Sequence, residues 1–168
     1  METKELKHIR RTFVLQHDQS DCGVACLLSL VRYYGGENSL ENLRNISGTN
    51  VTGTTLLGLS QAGTCIGFIT QGCQADMEAL IQHPGPLILH VHLDEFLQHY
   101  IVCYGHTTDK GRTIFTVGDP GRGIMEMSAD ELKNIWRSGF CLTLETGEHF
   151  QKAAVAKRRG NVWFKSLI

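Results

Sequence analysis

Residues 16–26 have the sequence QHDQSDCGVAC, in which a polar run ends at Asp21 and an apolar helical pattern begins. Asp21 is a good N-cap, because its carboxylate can accept hydrogen bonds from the free N–H groups of a first helical turn. Gly35-Gly36 is a typical helix end. Between them, apolar side chains recur at three- and four-residue spacing, the period of one helix face: Val24, Leu27, Leu28, Val31 and Tyr34. The sequence therefore predicts a buried helix that begins at or next to Cys22.

This position gives Cys22 two possible roles. At a helix N-terminus the dipole and the free N–H groups favour negative charge, so a thiolate forms more easily there. Taken alone, however, a cysteine at such a place is more often a small apolar residue that begins a core helix. The residues downstream decide between these two interpretations.

Composition limits what the chain can be. A length of 168 residues predicts one domain, or one domain with a tail, and a hydrophobic content of 42% is enough for an ordinary core. The net charge of -1, with basic residues that do not cluster along most of the chain, predicts no nucleic-acid partner. The N-terminal residues do not resemble a signal peptide, and no apolar run approaches membrane-spanning length.

The cysteines are interpreted as free thiols in a reducing compartment, because they fall in apolar elements rather than in loops. They are Cys22, Cys26, Cys65, Cys73, Cys103 and Cys141. Cys22 and Cys26 lie one helical turn apart and could share a metal, but no second ligand pair at zinc-finger spacing follows. We therefore expect neither a metal nor a cofactor.

The pattern changes from helical to extended near residue 84, which predicts an α+β fold. Helices are predicted to open at Ser39, Thr54 and Asp76, and a capping box at Ser128 and Glu131 opens a last helix. Strands are predicted at 68–70, 87–93, 100–104, 113–117, 124–127 and 140–144, with tight turns at 108–112 and 118–123. The first half is thus helical, and the second half is mostly antiparallel sheet.

Both ends differ in character from this central domain, which we place at residues 13–145. Residues 1–12 are charged and are expected to be frayed. Residues 146–168 form a basic segment, in which lysines and arginines surround Trp163, Phe164, Leu167 and Ile168. Such a segment is either a disordered tail or a basic amphipathic stretch, which would lie at a membrane surface or lead into a membrane domain.

A nucleophilic cysteine needs a base that takes its proton and a third group that orients the base. Among eight histidines, His99 stands at the start of the strongest central strand, where a base could meet Cys22. Asp119 ends the next strand, and it lies near His99 if the 108–112 turn pairs the strands in simple register. Asp119-Pro120 is equally compatible with a plain turn. His90 and His92 share one strand face and could be metal ligands, although such a pair is more often packed or solvent-facing.

These residues together resemble the C39 family of cysteine peptidases. Gln16 lies six residues before Cys22 in the Asp-Cys-Gly-Val-Ala-Cys motif, and His99-Tyr100-Ile101-Val102 and Gly118-Asp119-Pro120 follow in order. The resemblance covers roughly residues 10–145 and includes residues 52–59, which look like the opening of the family's third helix. Members of this family are bacteriocin-processing domains at the N-terminus of ABC exporters. Since this sequence has no membrane span and no phosphate-binding loop, we expect an isolated domain or a free-standing member.

The resemblance implies a papain-like fold, with an N-terminal helical half packed on a C-terminal antiparallel sheet. It implies Cys22 as nucleophile, His99 as general base and then acid, and Asp119 as the group that orients the imidazole. Gln16 would donate its side-chain amide to the oxyanion, beside the backbone N–H of Cys22. The alternative for Gln16 is an ordinary polar loop residue.

The activity implied is removal of leader peptides after a Gly-Gly type site from exported bacteriocin-like peptides. The leader would bind as an amphipathic helix on an apolar groove. The expected partners are the precursor peptide and the transmembrane and ATPase domains of an ABC exporter, at the cytoplasmic face of the membrane, or in the cytoplasm for a free-standing chain. Two alternatives stay open: a peptidase-like docking domain that does not cleave, and a zinc or redox protein that uses Cys22, Cys26, His90 and His92.

Overall fold

Four α-helices precede the first strand. The structure is a computed structural model that describes residues 1–152. The helices are α1 (Lys4–Thr12), α2 (Cys22–Tyr33), α3 (Leu40–Ser47) and α4 (Leu56–Cys65), with a short 3₁₀ turn at Gln19–Asp21. They are followed by β1 (Phe68–Gln74), α5 (Met77–Gln82), β2 (Leu87–His92), β3 (Gln98–Asp109), β4 (Arg112–Asp119), β5 (Gly123–Ser128), α6 (Ala129–Ile135) and β6 (Phe140–Thr146). The predicted α+β layout is confirmed.

The strands form one antiparallel sheet in the order β1-β6-β2-β3-β4-β5. The turn between β3 and β4 has positive φ at both central residues, 50° at Lys110 and 80° at Gly111, as tight hairpins require. A β-bulge interrupts the same pair, because the register shifts between Cys103 and Gly105. This bulge determines the face of the sheet on which Asp119 lies.

Each face of the sheet carries its own core. On one face, residues 22–31 of α2 are buried against alternate residues of β3, namely Tyr100, Val102 and Tyr104. On the other face, the intervening residues of β3 pack with β4 and α6 in a second cluster. Helix α2 is therefore the central helix of the first layer, and its N-terminus lies where β3 begins.

The expectation that residues 1–12 are frayed is wrong. Helix α1 starts after Thr3, whose hydroxyl accepts a hydrogen bond from the Leu6 N–H at 3.1 Å. Ile9 is 2% exposed and belongs to the first core, and His8 Nε2 lies 2.7 Å from the Tyr33 carbonyl oxygen. The physical reason is an apolar stripe, with Leu6 and Ile9 three residues apart, which the surrounding charges hide in the sequence.

The prediction that the Asp21 carboxylate caps the N-terminus of α2 is also wrong. Asp21 stands at the N-cap position, but its side chain makes no capping hydrogen bond. The carboxylate accepts hydrogen bonds from the guanidinium of Arg44 in α3 instead. A long-range ion pair has thus replaced the local cap.

The other predicted caps are close to the structure. Ser39, Asp76 and Ser128 are N-caps as predicted, and Ser128 forms the expected capping box with Glu131. The cap of α4 is Thr55, one residue later than predicted, and its hydroxyl accepts the Gly58 N–H at 2.9 Å.

Residues after 145, the predicted end of the domain, still contact its core. The Gly147 N–H donates to the Gly67 carbonyl at 2.8 Å, and the Phe150 ring centroid lies 4.8 Å from that of Phe68. Phe68 meets Tyr34, which meets Tyr33, so aromatic contacts connect residue 150 to the C-terminal end of α2. The greater part of the predicted basic tail, residues 153–168, lies outside the described residues. Within residues 1–152, none of the helices combines the length and apolar character needed to cross a bilayer.

Candidate active site

Cys22 is the first residue of α2 and is 7% exposed. The next residue is Gly23, where a Cβ atom would lie 3.2 Å from side-chain atoms of both Leu59 and Tyr100. A larger residue here would force Leu59 or Tyr100 to shift by a few tenths of an ångström, so glycine suits this close approach of α2 to α4 and the sheet. The Tyr100 hydroxyl donates to the Thr54 carbonyl at 2.9 Å and so ties the start of α4 to the sheet. Cys22 is thus held at a crowded junction between helices and sheet.

His99 lies at the start of β3, is 7% exposed, and has its Nε2 atom 2.7 Å from Asp119 Oδ1. The predicted proximity of His99 and Asp119 is confirmed, but the assumption of simple register is wrong. Counting seven residues along each strand from the Asp109–Arg112 pair would place Asp119 opposite Val102, on the face opposite to His99. The bulge at Tyr104 pairs Val102 with Gly118 instead and turns Asp119 to the side of His99.

The sequence offered one signal for this bulge. Gly105 lies inside a strand, where glycine often marks a bulge, and its φ of 150° is in the range that L side chains rarely adopt. Neither Gly105 nor the bulge was part of the sequence prediction. Together they show why Asp119 can meet His99.

Among the described residues, three donors form hydrogen bonds to Asp119. Besides His99, they are the Gly121 N–H, which donates to Oδ1 at 2.8 Å, and Arg122 Nε, which donates to Oδ2 at 3.1 Å. Burial alone would raise the pKa of Asp119, but these hydrogen bonds outweigh burial and hold that pKa below its usual value. Asp119 is therefore an ionised acceptor for the imidazole.

Opposing effects set the protonation of His99. Burial lowers its pKa, whereas the hydrogen bond to Asp119 and the interaction with Cys22 raise it, and the net result is a pKa of about 9. Since Nε2 faces Asp119, Nδ1 is the ring nitrogen left for Cys22. At neutral pH the site thus favours an imidazolium between the Asp119 carboxylate and the sulfur of Cys22.

Gln16 reaches the same site through its loop. Its backbone N–H donates to the Pro120 carbonyl at 2.9 Å, and its side chain shares a cleft of about 220 Å³ with His99 and Asp119. The side-chain carbonyl oxygen is buried and has no hydrogen-bond partner within residues 1–152. The structure therefore places Gln16 at the cleft, and its role toward an oxyanion stays a prediction.

Cys26 does not share the environment of Cys22. It lies one turn further along α2 and is fully buried, and burial raises the pKa of its thiol well above the usual value. A thiol held protonated in this way is a core residue rather than a nucleophile.

His90 and His92 lie apart from these groups on β2. Their ring centroids are 5.3 Å apart, and His90 Nε2 lies 3.3 Å from Gln98 Oε1. Among the 152 described residues, no group of three or more His, Cys, Asp or Glu side chains is arranged to hold a metal ion. The described residues thus give the zinc alternative no support.

The raised pKa of His99 predicts a loss of stability at alkaline pH. The folded value of about 9 lies above the ordinary value of 6.5, so the stabilisation is complete below pH 6.5 and disappears as the pH rises through 9. The shift corresponds to on the order of 3 kcal/mol. Urea unfolding of the wild type and of His99→Gln should show a difference in unfolding free energy that shrinks between pH 6 and pH 10. A constant difference would contradict this prediction.

Comparison with known proteins gives concordant matches. The model of the Peptidase C39 family matches residues 10–149. The lactococcin-G-processing and transport ATP-binding protein LagD of Lactococcus lactis is 32% identical over 128 residues, which are 75% of this chain and 18% of LagD. The pediocin PA-1 transport/processing ATP-binding protein PedD of Pediococcus acidilactici is 37% identical over 64% of this chain and 15% of its own length. This chain thus spans about a fifth or less of these relatives.

Solved structures agree on the fold. The peptidase domain of Streptococcus ComA, described as a bifunctional ABC transporter involved in quorum sensing, matches with a TM-score of 0.71 and 35% identity. That match covers 80% of this chain and 97% of the ComA domain. A double-glycine-motif protease from an AMS/PCAT transporter, solved with its leader peptide, matches with a TM-score of 0.69 at 24% identity, over 79% and 89% of the two chains. The predicted papain-like fold is confirmed.

Proposed function

This chain belongs to the peptidase C39 family, and we propose that it removes leader peptides by cutting after a Gly-Gly type site. The observation that carries the proposal is the His99 imidazole, whose Nε2 lies 2.7 Å from the buried Asp119 and whose pKa is raised in part by Cys22 at the N-terminus of α2. A thiol, an imidazole and a carboxylate in this order are the functional groups of a cysteine peptidase. The names of the relatives, which combine processing with transport, support the same activity.

The chemistry begins from a Cys22 thiolate and a His99 imidazolium. The thiolate attacks the scissile carbonyl, and His99 then gives its proton to the departing amine. In the second half of the reaction, His99 takes a proton from the water that attacks the acyl-enzyme, and the Cys22 thiolate leaves. Asp119 holds the imidazole ring through Nε2 in both halves.

The oxyanion of each tetrahedral intermediate needs donors aimed at it. We assign this role to the backbone N–H of Cys22 and to the side-chain amide of Gln16. The anchoring of Gln16 to Pro120 supports the assignment, since it holds the Gln16 loop against the turn that carries Asp119.

The proposed substrate is a precursor of a small exported peptide, and the proposed partners are the transmembrane and ATPase domains of an ABC exporter. The relatives named above are transport ATP-binding proteins, and this chain matches a part of each. We accordingly place its activity at the cytoplasmic face of the membrane, beside an exporter. A docking domain that does not cleave is less well supported, because it has no need for a thiol held against a buried His–Asp pair.

Cleavage and thiol labelling test this function together. A synthetic leader that ends in Gly-Gly, followed by a short cargo, should be cut once, after the second glycine. The same peptide with leucine in place of the second glycine should stay intact. Iodoacetamide should label Cys22 rapidly near neutral pH in the wild type, and slowly in His99→Ala.

The exposed Cys65 provides an internal standard for a free thiol. Peptide mapping by mass spectrometry separates the labelling of the two cysteines. An intact leader, together with labelling of Cys22 no faster than that of Cys65, would exclude the peptidase in favour of the docking domain.

A further inference from the structure

The residue before the nucleophile carries a fully buried charge. Asp21 is 0% exposed, and its carboxylate accepts two hydrogen bonds from Arg44 of α3. Arg44 Nε donates to Oδ1 at 2.7 Å, and the second guanidinium nitrogen donates to Oδ2. Such a bidentate ion pair fixes the relative orientation of the two side chains as well as balancing their charges. A buried carboxylate without its partner would be strongly destabilising.

The same carboxylate also holds the loop that carries Gln16. The Asp18 N–H donates to Asp21 Oδ2 at 3.3 Å, and the nearby backbone of His17 also favours the ionised carboxylate. Hydrogen bonding to Arg44 is the largest influence and, against the opposing effect of burial, it holds the pKa of Asp21 below its usual value. Asp21 therefore connects the Gln16 loop, the start of α2 and helix α3 while it stays ionised.

Two carboxylates lie near Cys22, and each has its own cation. Asp119, from β4, is balanced by His99 and Arg122. Asp21 is balanced by Arg44.

Within residues 1–152, the other titratable groups that face Cys22 are His99 and Tyr100 from β3 and Cys26 from α2 itself. Tyr100 and Cys26 are neutral at neutral pH, since burial raises the pKa of both. Without Arg44, the negative charge at Asp21 would oppose a thiolate on the next residue.

We propose that the Asp21–Arg44 ion pair positions the nucleophile: it locks the first turn of α2 to α3 and cancels the negative charge beside the Cys22 thiolate. Both are positioning residues, since neither touches the reacting atoms. The inference rests on the proposed role of Cys22 as nucleophile. Its test uses alkylation without substrate, so it remains decisive even if no Gly-Gly leader is cut.

The test is the pH at which the rate of Cys22 alkylation by iodoacetamide reaches half of its plateau. Arg44→Gln should move this pH upward by about one unit. At a pH well below the midpoint, this shift lowers the alkylation rate about tenfold. The backbone of His17 and Asp18 still favours the ionised carboxylate in this variant. Asp21→Asn should move the midpoint downward, because Arg44 is then an unbalanced cation. The double variant Asp21→Asn/Arg44→Gln carries neither charge and should return close to the wild type.

The two single variants are expected to shift the alkylation midpoint in opposite directions, and this separates electrostatic positioning from a merely structural role. If the pair only supported the fold, both single variants would impair alkylation in the same direction, and the double variant would be no better. Shifts of the same sign, no shift, or failure of the double variant to return would each overturn the proposal. If Arg44→Gln does not fold by circular dichroism, Asp21→Asn and Arg44→Lys decide the matter. Lysine keeps the charge and should keep the midpoint near the wild type, whereas Asp21→Asn should still lower it.

A matched control lies on the same helix. Arg32, near the C-terminal end of α2, pairs with Glu37 at 2.9 Å on the surface. Arg32→Gln removes an arginine–carboxylate pair from α2 without touching the start of the helix. It should leave the alkylation midpoint unchanged, and a shift equal to that of Arg44→Gln would count against a local effect at Cys22.

Discussion

Cys22→Ala is expected to abolish cleavage of a Gly-Gly leader, with a fall in kcat of at least about 10⁴-fold, the scale seen when the nucleophile of a hydrolase is removed. Without the sulfur no acyl-enzyme can form, and His99 and Asp119 have no nucleophile to activate. The measurement is the rate of product formation from a synthetic leader–cargo peptide, followed by mass spectrometry.

The fold should survive this change. Alanine has a high helix propensity, and the side chain it replaces is small. The thermal unfolding of Cys22→Ala should therefore stay cooperative. Cys65→Ala is the matched control, because Cys65 is exposed at the end of α4 and should affect neither cleavage nor folding. Cleavage at the wild-type rate by Cys22→Ala would remove Cys22 from its proposed role.

Asp119→Asn is expected to have the second largest effect, a loss of about 10²- to 10⁴-fold in kcat/KM, in line with the same change in a serine-peptidase triad. The asparagine keeps the shape of the side chain but removes the charge that favours the His99 imidazolium. Burial, which lowers the pKa of His99, then has less opposition. The alkaline limb of the pH–rate profile should accordingly move down from near pH 9 toward neutral pH.

The profile of kcat/KM between pH 5 and pH 10 tests this shift. Asp109→Asn is the control, since Asp109 is an exposed residue at the opposite end of β3. A wild-type alkaline limb in Asp119→Asn would show that Asp119 does not set the charge of His99. A lower rate with an unchanged profile would point to a purely geometric role.

Local patterns in the sequence were enough to predict the helix at Cys22 and the hairpin that brings β3 beside β4. They were not enough to predict the register, because the bulge at Tyr104 adds one residue to β3 and thereby changes the face on which Asp119 lies. The hairpin turn predicts which strands are neighbours. The face depends on an irregularity in the middle of a strand, for which Gly105 was the one visible sign.

Long-range pairing explains the other differences. Asp21 has the residue type and position of a helix cap, but Arg44, 23 residues later, supplies stronger donors once α3 packs beside α2. The sequence prediction did not include helix α1, because charged residues dominate residues 1–12. These residues nevertheless pack on the core, since Ile9 is buried there. Tertiary contacts have overridden local preference in both places.

The aromatic contacts at the C-terminal end of α2 depend on residues from α1 and from the segment 147–150. His8 meets Tyr33 at 4.9 Å on one side, and Phe150 meets Phe68 at 4.8 Å on the other. Trimming either α1 or residues 147–150 would expose rings that now cover each other. A fragment that keeps these aromatic contacts therefore extends from α1 through Phe150.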